Sequence, residues 1–335
     1  MKTFSNYSML SHNTFGIDAK CRSYVEYASV DEAVQLARQL AEPFLIIGRG
    51  SNLLLTRDYE GTVVRSAVLG CEVVSAEGDD ILVKVGSGEE WDAMIARFVK
   101  NGWHGAESLS LIPGDVGASA VQNIGAYGTE VCQLIEEIEA VEIGTGDLTT
   151  ITVDECQYGY RQSRFKKEWH NKFLITHVTY RLSKSFHPQL DYGNVKHELE
   201  SRGISQPTPD QLRQVIINIR REKLPDPKVE GNAGSFFMNP VVSREKFEAL
   251  ISKYPQMPHY YIDADHEKIP AGWMIDQCGW KGRTVGRAGV HSKQALVLVN
   301  RGGATGQEIV ELCRQIQQDV SRRFGIDLSP EVNII

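Results

Sequence analysis

The stretch PGDVGASAVQNIGAYG, residues 113–128, constrains the fold more than any other part of the chain. Gly114, Gly117, Ala118, Ser119, Gly125 and Ala126 expose backbone where most chains expose side chains. A loop this rich in small residues lets a pyrophosphate or a flat ring approach the main chain closely. Ahead of it stands a helix-patterned segment, EEWDAMIARFVKNG, which reads as capped by Ser87 and Glu90 and stopped at Asn101-Gly102. After it come the long strand-like runs IEEIEAVEI and KFLITHVTYRL. Helices and strands that mix in this order predict an α+β chain with mixed or antiparallel sheets.

A second small-residue turn lies upstream in LIIGRGSNLLL, residues 45–55. No G-x-x-x-x-G-K-[ST] occurs, so a P-loop is excluded. The dinucleotide fingerprint fails as well: its third glycine is Leu53, and an apolar strand-like run follows where a helix is needed. Two readings stay open. The turn is a tight hairpin, or Gly48, Gly50, Ser51 and Asn52 form a nest of backbone N–H groups that holds phosphate without a helix. With the loop at 113–128, the second reading predicts a dinucleotide site that includes Asn123 and Tyr127.

At 335 residues the chain exceeds one ordinary core. The segment 1–67 reads as a small α/β module. Its strands are RSYVEYAS, FLIIG and GTVVRS, and its helix SVDEAVQLARQL opens on a Ser29/Glu32 capping box. The segment 68–224 closes on PTPDQLRQVIINIRREKL, a helix with Thr208 as cap, Pro209 in the first turn and Gln211 completing the box. The segment 225–325 holds three helices and the strand ALVLVN; the last helix runs from GATGQEIV to Gly325 with Ile309, Leu312, Cys313, Ile316 and Val320 on one face. The tail 326–335 is too short to stand alone and is expected to return to the first module.

Six scattered cysteines without a C-x-x-C predict reduced thiols, and the nine histidines show no ligand spacing, so no metal is expected. No apolar run spans a membrane and no signal-peptide pattern opens the chain, which predicts a cytoplasmic protein. A net charge of −7 argues against nucleic acid as partner. Anions would be met by two local basic runs, YRQSRFKK and IRREKLPDPK, unless these are solvated surface.

One further stretch raises a chemical question. GNAGSFFMNP, residues 231–240, sets Ser235 on a Gly/Ala backbone beside two phenylalanines. Either this is a turn that contains a serine, or a large ligand lies against the backbone with the hydroxyl aimed at it.

GRGSNLLL, PGDVGASAVQNIGAYG, YGYRQSRFK, KLPDPKVEGNAGSFFMNP, AGWMIDQCGWKG, HSKQALVLVN and the terminal PEV together resemble the UDP-N-acetylenolpyruvoylglucosamine reductases, in order, from about residue 10 to the end. LDYGNVKHELESRGI with Tyr192 resembles the longer, tyrosine-bearing branch. The resemblance implies a two-subdomain FAD-binding fold of the vanillyl-alcohol-oxidase-like type plus a C-terminal substrate-binding domain. It implies non-covalent FAD, NADPH as co-substrate, and reduction of the enolpyruvyl ether of UDP-GlcNAc-enolpyruvate to UDP-N-acetylmuramate for peptidoglycan, by a monomer. Hydride passes from NADPH through FAD to the vinyl carbon, and a proton must reach the neighbouring carbon.

By position in the motifs, Ser235 corresponds to the proton donor, Arg161 to the arginine at the substrate carboxylate, and Glu331 to the third catalytic residue. Arginine's fork suits a carboxylate; Glu331 beside one is useful only when protonated or paired with a cation. Tyr160, Tyr192, Arg220, Lys223, Asn239, Tyr260 and Gln294 fall at substrate positions; His291 and Lys293 are weaker candidates. Two departures stand out: Met238 where the motif usually carries lysine, and Asn333 with the ending NII in place of an arginine and a closing glycine. Rival readings are an FAD-linked oxidase of the same fold class and a nucleotide-sugar binder without redox chemistry. Such oxidases often tether flavin through a histidine or cysteine, and neither glycine loop contains one.

Overall fold

The computed structural model describes residues 1–192 and 194–335. The chain divides into two units: Met1–Tyr7, Cys21–Arg49 and Glu60–Arg220 form one; Ser8–Lys20, Gly50–Tyr59 and Arg221–Ile335 form the other.

Among the described residues the first unit has two large sheets and one two-stranded pair. A four-stranded sheet places Lys2–Ser8, Lys20–Tyr27, Tyr59–Ser66 and Phe44–Ile47 side by side. Its last pair is parallel, Phe44 opposite Thr62 and Ile47 opposite Arg65. The second sheet is antiparallel throughout, in the order Leu148–Thr152, Ile135–Glu142, Phe173–Ser183, Asp80–Gly86, Cys71–Glu77. Helix α1 (Val30–Gln39) buries Ala33, Leu36 and Ala37 against Val25, Tyr27, Val64, Val141 and Leu174. Ser29 accepts from the Glu32 N–H, but the Glu32 carboxylate reaches one residue further back, to the Ala28 N–H, so the box is offset by one position.

Helix α2 (Trp91–Lys100) and helix α3 (Val116–Gln122) pack on the antiparallel sheet. Two expectations are corrected here. Ser87 does not cap α2: it is buried, meets the Ser66 hydroxyl at 2.6 Å and donates to the Ile175 carbonyl. The first turn begins later, at Trp91, after Glu90. The stretch 113–128 is also more than a loop, for it contains α3 and the short pair Gly125–Ala126 with Thr129–Glu130. Small residues make α3 possible in this place: a Cβ on Gly117 would lie 2.8 Å from the Ser87 Cβ. Helix α4 (Val195–Ser201) and helix α5 (Pro209–Lys223) bury Val195, Leu199, Leu212, Val215, Ile216 and Ile219 together. Thr208 and Gln211 exchange both bonds of the expected box at the start of α5.

The second unit contains helix α6 (Arg244–Lys253), helix α7 (Ala271–Gln277) and helix α8 (Gly306–Phe324). Two three-stranded sheets accompany them: Val241–Ser243, His266–Lys268, Tyr260–Tyr261, and Thr284–Val285, Ala288–Val290, Leu298–Asn300. The predicted face of α8, Ile309, Leu312, Cys313, Ile316 and Val320, is buried, and Gly325 ends the helix at φ +60°. The strand expected over ALVLVN is shorter, starting at Leu298. The C-terminal strand Asn333–Ile334 lies parallel to Leu53–Leu54. This pairing overturns the hairpin reading of GRGSN, because Phe44–Ile47 and Leu53–Leu54 belong to different sheets. All six cysteines are free thiols.

Candidate active site

In the second unit the glycine turn is fixed from its carbonyl side. Gly50 O accepts from the Thr14 N–H at 3.1 Å, and Asn52 O accepts from both the N–H and the side-chain amide of Asn333. Asn52 in turn donates to the Glu331 carbonyl at 3.3 Å. Gly50 sits at φ +67°, and a Cβ there would fall 2.0 Å from the His12 carbonyl oxygen, so only glycine fits. Ser51 follows it, and Leu53 is buried, contributing its backbone to the strand pair. The N–H groups of such a turn have the polarity that suits a phosphate.

The same unit carries the Ser235 loop. Phe236 and Phe237 are fully buried, with Phe236 edge-on to Phe15 at 6.2 Å. They anchor the loop just downstream of Ser235, while a Cβ on Gly234 would meet no atom within 4 Å. Phe236 N–H donates to Leu296 O, and its carbonyl accepts from the Glu331 N–H at 2.8 Å. Met238 N–H donates to Ser329 O, and Phe237 bridges Pro330. Ser235 and Glu331, 96 positions apart in sequence, therefore belong to neighbouring antiparallel segments.

Asn232, not among the residues singled out from the sequence, shapes the Ser235 loop. It is buried; its Oδ1 accepts from the Gly234 N–H at 2.9 Å and its Nδ2 donates to the Glu230 carbonyl at 2.8 Å. The signal was available, since an asparagine two residues before a glycine forms an Asx turn. Glu230 pairs with His291 at 3.0 Å and also with Arg301, which explains His291 as support for the loop. Among the other candidates, Asn239 Oδ1 accepts from the Ala271 N–H at the start of α7, doing the capping that Pro270 does not do. Gln294 Oε1 accepts from the Leu296 N–H, Tyr260 is exposed below the Lys268 ammonium, and Lys223 closes α5. Lys293 is exposed.

In the first unit a different group of candidates converges. Asn123 and Tyr127 adopt left-handed backbone, φ +46° and +50°, and bracket Gly125 and Ala126. Arg161, itself at φ +56°, donates to the Asn123 carbonyl at 3.2 Å and to the Gly125 carbonyl at 2.5 Å. Its guanidinium lies 5.2 Å from the centre of the Tyr160 ring. Lys166, from the first basic run, donates to the Arg161 carbonyl and to Gln122, whereas Arg164 turns away onto Trp169.

Arg220 of α5 comes to the same place. Desolvation pulls its pKa down, its partners Tyr127 and Asp92 oppose the fall, and the nearby Arg161 cation adds to it. Burial raises the Tyr127 pKa, and Arg220 counters that. Over Gly128 lies the Tyr192 ring, whose atoms a Cβ would meet at 3.4 Å; Gly193 in the same segment lies outside the described residues. A pair of guanidiniums with two tyrosines is a setting for an anion and a sugar.

Not every flavin candidate offers its side chain. Ser119 donates inward to the Val116 carbonyl, and the Asn123 amide is spent on Glu130 and Gly159. Gly114 stands at φ +142°, a backbone conformation that favours glycine. Gly48 meets Ala118 so closely that a Cβ would lie 2.9 Å from the alanine Cβ. Asp115 and Arg49, also missed by the sequence reading, lock this arrangement, since the buried Asp115 carboxylate accepts from Arg49 at 2.6 Å and from Arg65 at 3.1 Å. Gly48, Gly114, Gly117 and Ala118 put bare backbone where bulky side chains would otherwise stand, which fits a flat ring or pyrophosphate, so the residues present fit FAD.

Comparison with known proteins agrees with this chemistry. A family model described as UDP-N-acetylenolpyruvoylglucosamine reductase, C-terminal domain, matches residues 226–335, and one described as an FAD binding domain matches residues 25–152. The UDP-N-acetylenolpyruvoylglucosamine reductase of Bacteroides fragilis is 56% identical over 332 residues, covering 98% of this chain and 99% of that protein. The enzyme of the same name from Chromobacterium violaceum is 44% identical over 331 residues, covering 97% and 96%. The crystal structure of the Thermus caldophilus UDP-N-acetylenolpyruvylglucosamine reductase superposes with a TM-score of 0.69 over 99% of this chain and 98% of that one. At 21% identity that last likeness speaks for the fold alone. Identity at this level over nearly the full length of both proteins places the chain plainly: it belongs to the UDP-N-acetylenolpyruvoylglucosamine reductase family.

Proposed function

We propose that the chain catalyses the NADPH-dependent reduction of UDP-GlcNAc-enolpyruvate to UDP-N-acetylmuramate, the step that supplies the lactyl ether of peptidoglycan precursors. When bound, FAD supplies the two-electron chemistry between NADPH and the enol ether. The observation that carries the reading is the Glu331 N–H bonded to the Phe236 carbonyl, which sets Ser235 and Glu331 on neighbouring segments of a rigid, Phe-anchored scaffold.

The chain's own residues then have these roles. The Ser235 hydroxyl delivers the proton to the carbon beside the carboxylate, and Glu331 supports the charge change there. Arg161 binds the carboxylate, where charge accumulates as the double bond is reduced. Arg220 and Lys223 bind anionic oxygens of the nucleotide, and Tyr160, Tyr192, Asn239, Tyr260 and Gln294 position the rest. Gly48, Gly50, Ser51, Asn52, Leu53, Gly114, Gly117, Ala118, Ser119, Asn123, Gly125, Ala126 and Tyr127 are proposed to lie against FAD, Ser119 and Asn123 through backbone because their side chains are engaged elsewhere. We further propose the division into segments 1–67 with 326–335, 68–224 and 225–325, and a cytoplasmic monomer. Among the described residues no helix is long and apolar enough to cross a membrane.

The test is an anaerobic visible spectrum. Oxidised flavin bands should bleach with NADPH and return on adding UDP-GlcNAc-enolpyruvate. A flavin that stays bleached until air is admitted would replace this reading with an oxidase. Absence of any flavin band after reconstitution with FAD would defeat it.

A further inference from the structure

Helix α5 carries Arg213 and Arg220 on one face, two turns or about 10 Å apart. Arg213 is fully engaged: its Nη1 and Nη2 donate to Asp92 Oδ1 and Oδ2 at 2.7 and 3.1 Å, a fork on a carboxylate. The same Asp92 Oδ1 accepts from the Leu111 N–H at 2.6 Å. On the far side of that residue, the Leu111 carbonyl accepts from Arg220 Nε at 3.3 Å. Leu111 stands at φ +59°, a backbone conformation that a leucine holds only when its surroundings impose it. One residue is thus gripped from both sides, by a carboxylate at its N–H and by a candidate substrate arginine at its carbonyl. Burial raises the Asp92 pKa, but the bonds from Arg213 and Leu111 outweigh burial and leave it below the ordinary value.

We propose that Asp92 is a positioning residue for substrate binding: by docking Arg213 and holding Leu111 in the left-handed conformation, it fixes the direction of the Arg220 guanidinium. The first turn of α2 would accept an acid for its dipole alone, but a dipole needs neither the fork to Arg213 nor the strained peptide. The proposal rests on the reading that Arg220 contacts the substrate, so the experiment separates the two.

FAD-loaded Asp92→Asn, Arg220→Ala and Asp92→Asn/Leu111→Gly enzymes are compared for KM of UDP-GlcNAc-enolpyruvate, for the rate of flavin reduction at saturating NADPH, and for Tm. Asp92→Asn is expected to raise KM about tenfold with flavin reduction within about twofold of the parent. Adding Leu111→Gly, which accepts φ +59° without strain, should bring KM back to within about threefold. If Asp92→Asn does not fold, Asp92→Asn/Arg213→Gln leaves no unpaired charge and carries the same expectations. An unchanged KM in Asp92→Asn, or a raised KM that glycine at 111 does not restore, overturns the proposal. If Arg220→Ala leaves KM unchanged, the assignment of Arg220 to the substrate falls and the proposal with it. If Arg220→Ala raises KM and Asp92→Asn does not, the positioning role alone falls.

Discussion

Replacing Asn232 by alanine separates the rigidity of the Ser235 loop from the presence of its hydroxyl. The Asn232 amide donates to Glu230 O and Pro225 O and accepts from the Gly234 N–H, at 2.8, 3.3 and 2.9 Å. Each such bond contributes about 1 kcal/mol net, and the long one less; the half-buried Gly234 N–H, left without its acceptor, adds a further penalty of up to about 1 kcal/mol. The total is about 3 kcal/mol, which corresponds to a fall in Tm of roughly 6–12 °C for a unit of this size. Backbone bonds from the Asn232 N–H to Thr14 O and from the Asn300 N–H to Gly231 O still hold the loop upstream, and buried Phe236 and Phe237 hold it downstream, so the lost order falls on Gly234 and Ser235 between them. A displacement of about 1 Å there costs on the order of 100-fold in kcat. Steady-state kinetics with UDP-GlcNAc-enolpyruvate, run beside thermal unfolding, reads both numbers. Since the loss acts through Ser235, Asn232→Ala combined with Ser235→Ala should be no slower than Ser235→Ala alone. An Asn232→Ala enzyme that shows the fall in Tm but keeps kcat within twofold would refute the reasoning.

Three other outcomes are expected. Gly50→Ala forces a Cβ onto the His12 carbonyl oxygen at 2.0 Å in a left-handed residue, and FAD affinity, followed by quenching of flavin fluorescence, should fall at least about tenfold; an unchanged affinity would remove this turn from the flavin site. Arg161→Lys cannot span the Asn123 and Gly125 carbonyls at once and should lower kcat/KM about 100-fold, whereas a change below threefold would place the substrate carboxylate elsewhere. The Asp92 carboxyl titrates below its ordinary value in the folded state, so its contribution is complete above that value and is lost as pH falls through the folded one. Thermal unfolding of the parent should therefore lose stability below about pH 4 more steeply than Asp92→Asn/Arg213→Gln does, and parallel curves would contradict the shift.

The elements that were legible in the sequence are those whose signal is local. The face of α8, the Thr208/Gln211 box and the strands Ile135–Glu142 and Phe173–Ser183 follow from periodicity or from residues three apart. Ser235, Arg161 and Glu331 were marked as candidates by the family resemblance of the motifs that contain them, not by any local pattern. Helix α3 escaped because glycine and alanine carry no apolar period; its helicity comes from packing on the sheet through Val116 and Ala120. Ser87 looked like a cap because it precedes a helix, but its hydroxyl is drawn to Ser66 and Ile175, partners on other strands.

The same division holds at the site. Sequence determined which residue types are available, and that two glycine turns and two basic runs exist. Only the tertiary structure decided that Leu53 pairs with Asn333, that Glu331 lies beside Phe236, that the Asn123 and Ser119 side chains are spent on the protein itself, and that Asp92 reaches Leu111 and Arg213. The physical reason is that a hydrogen bond or ion pair between distant segments depends on where folding brings them, and nothing in the neighbouring residues of either segment encodes that meeting.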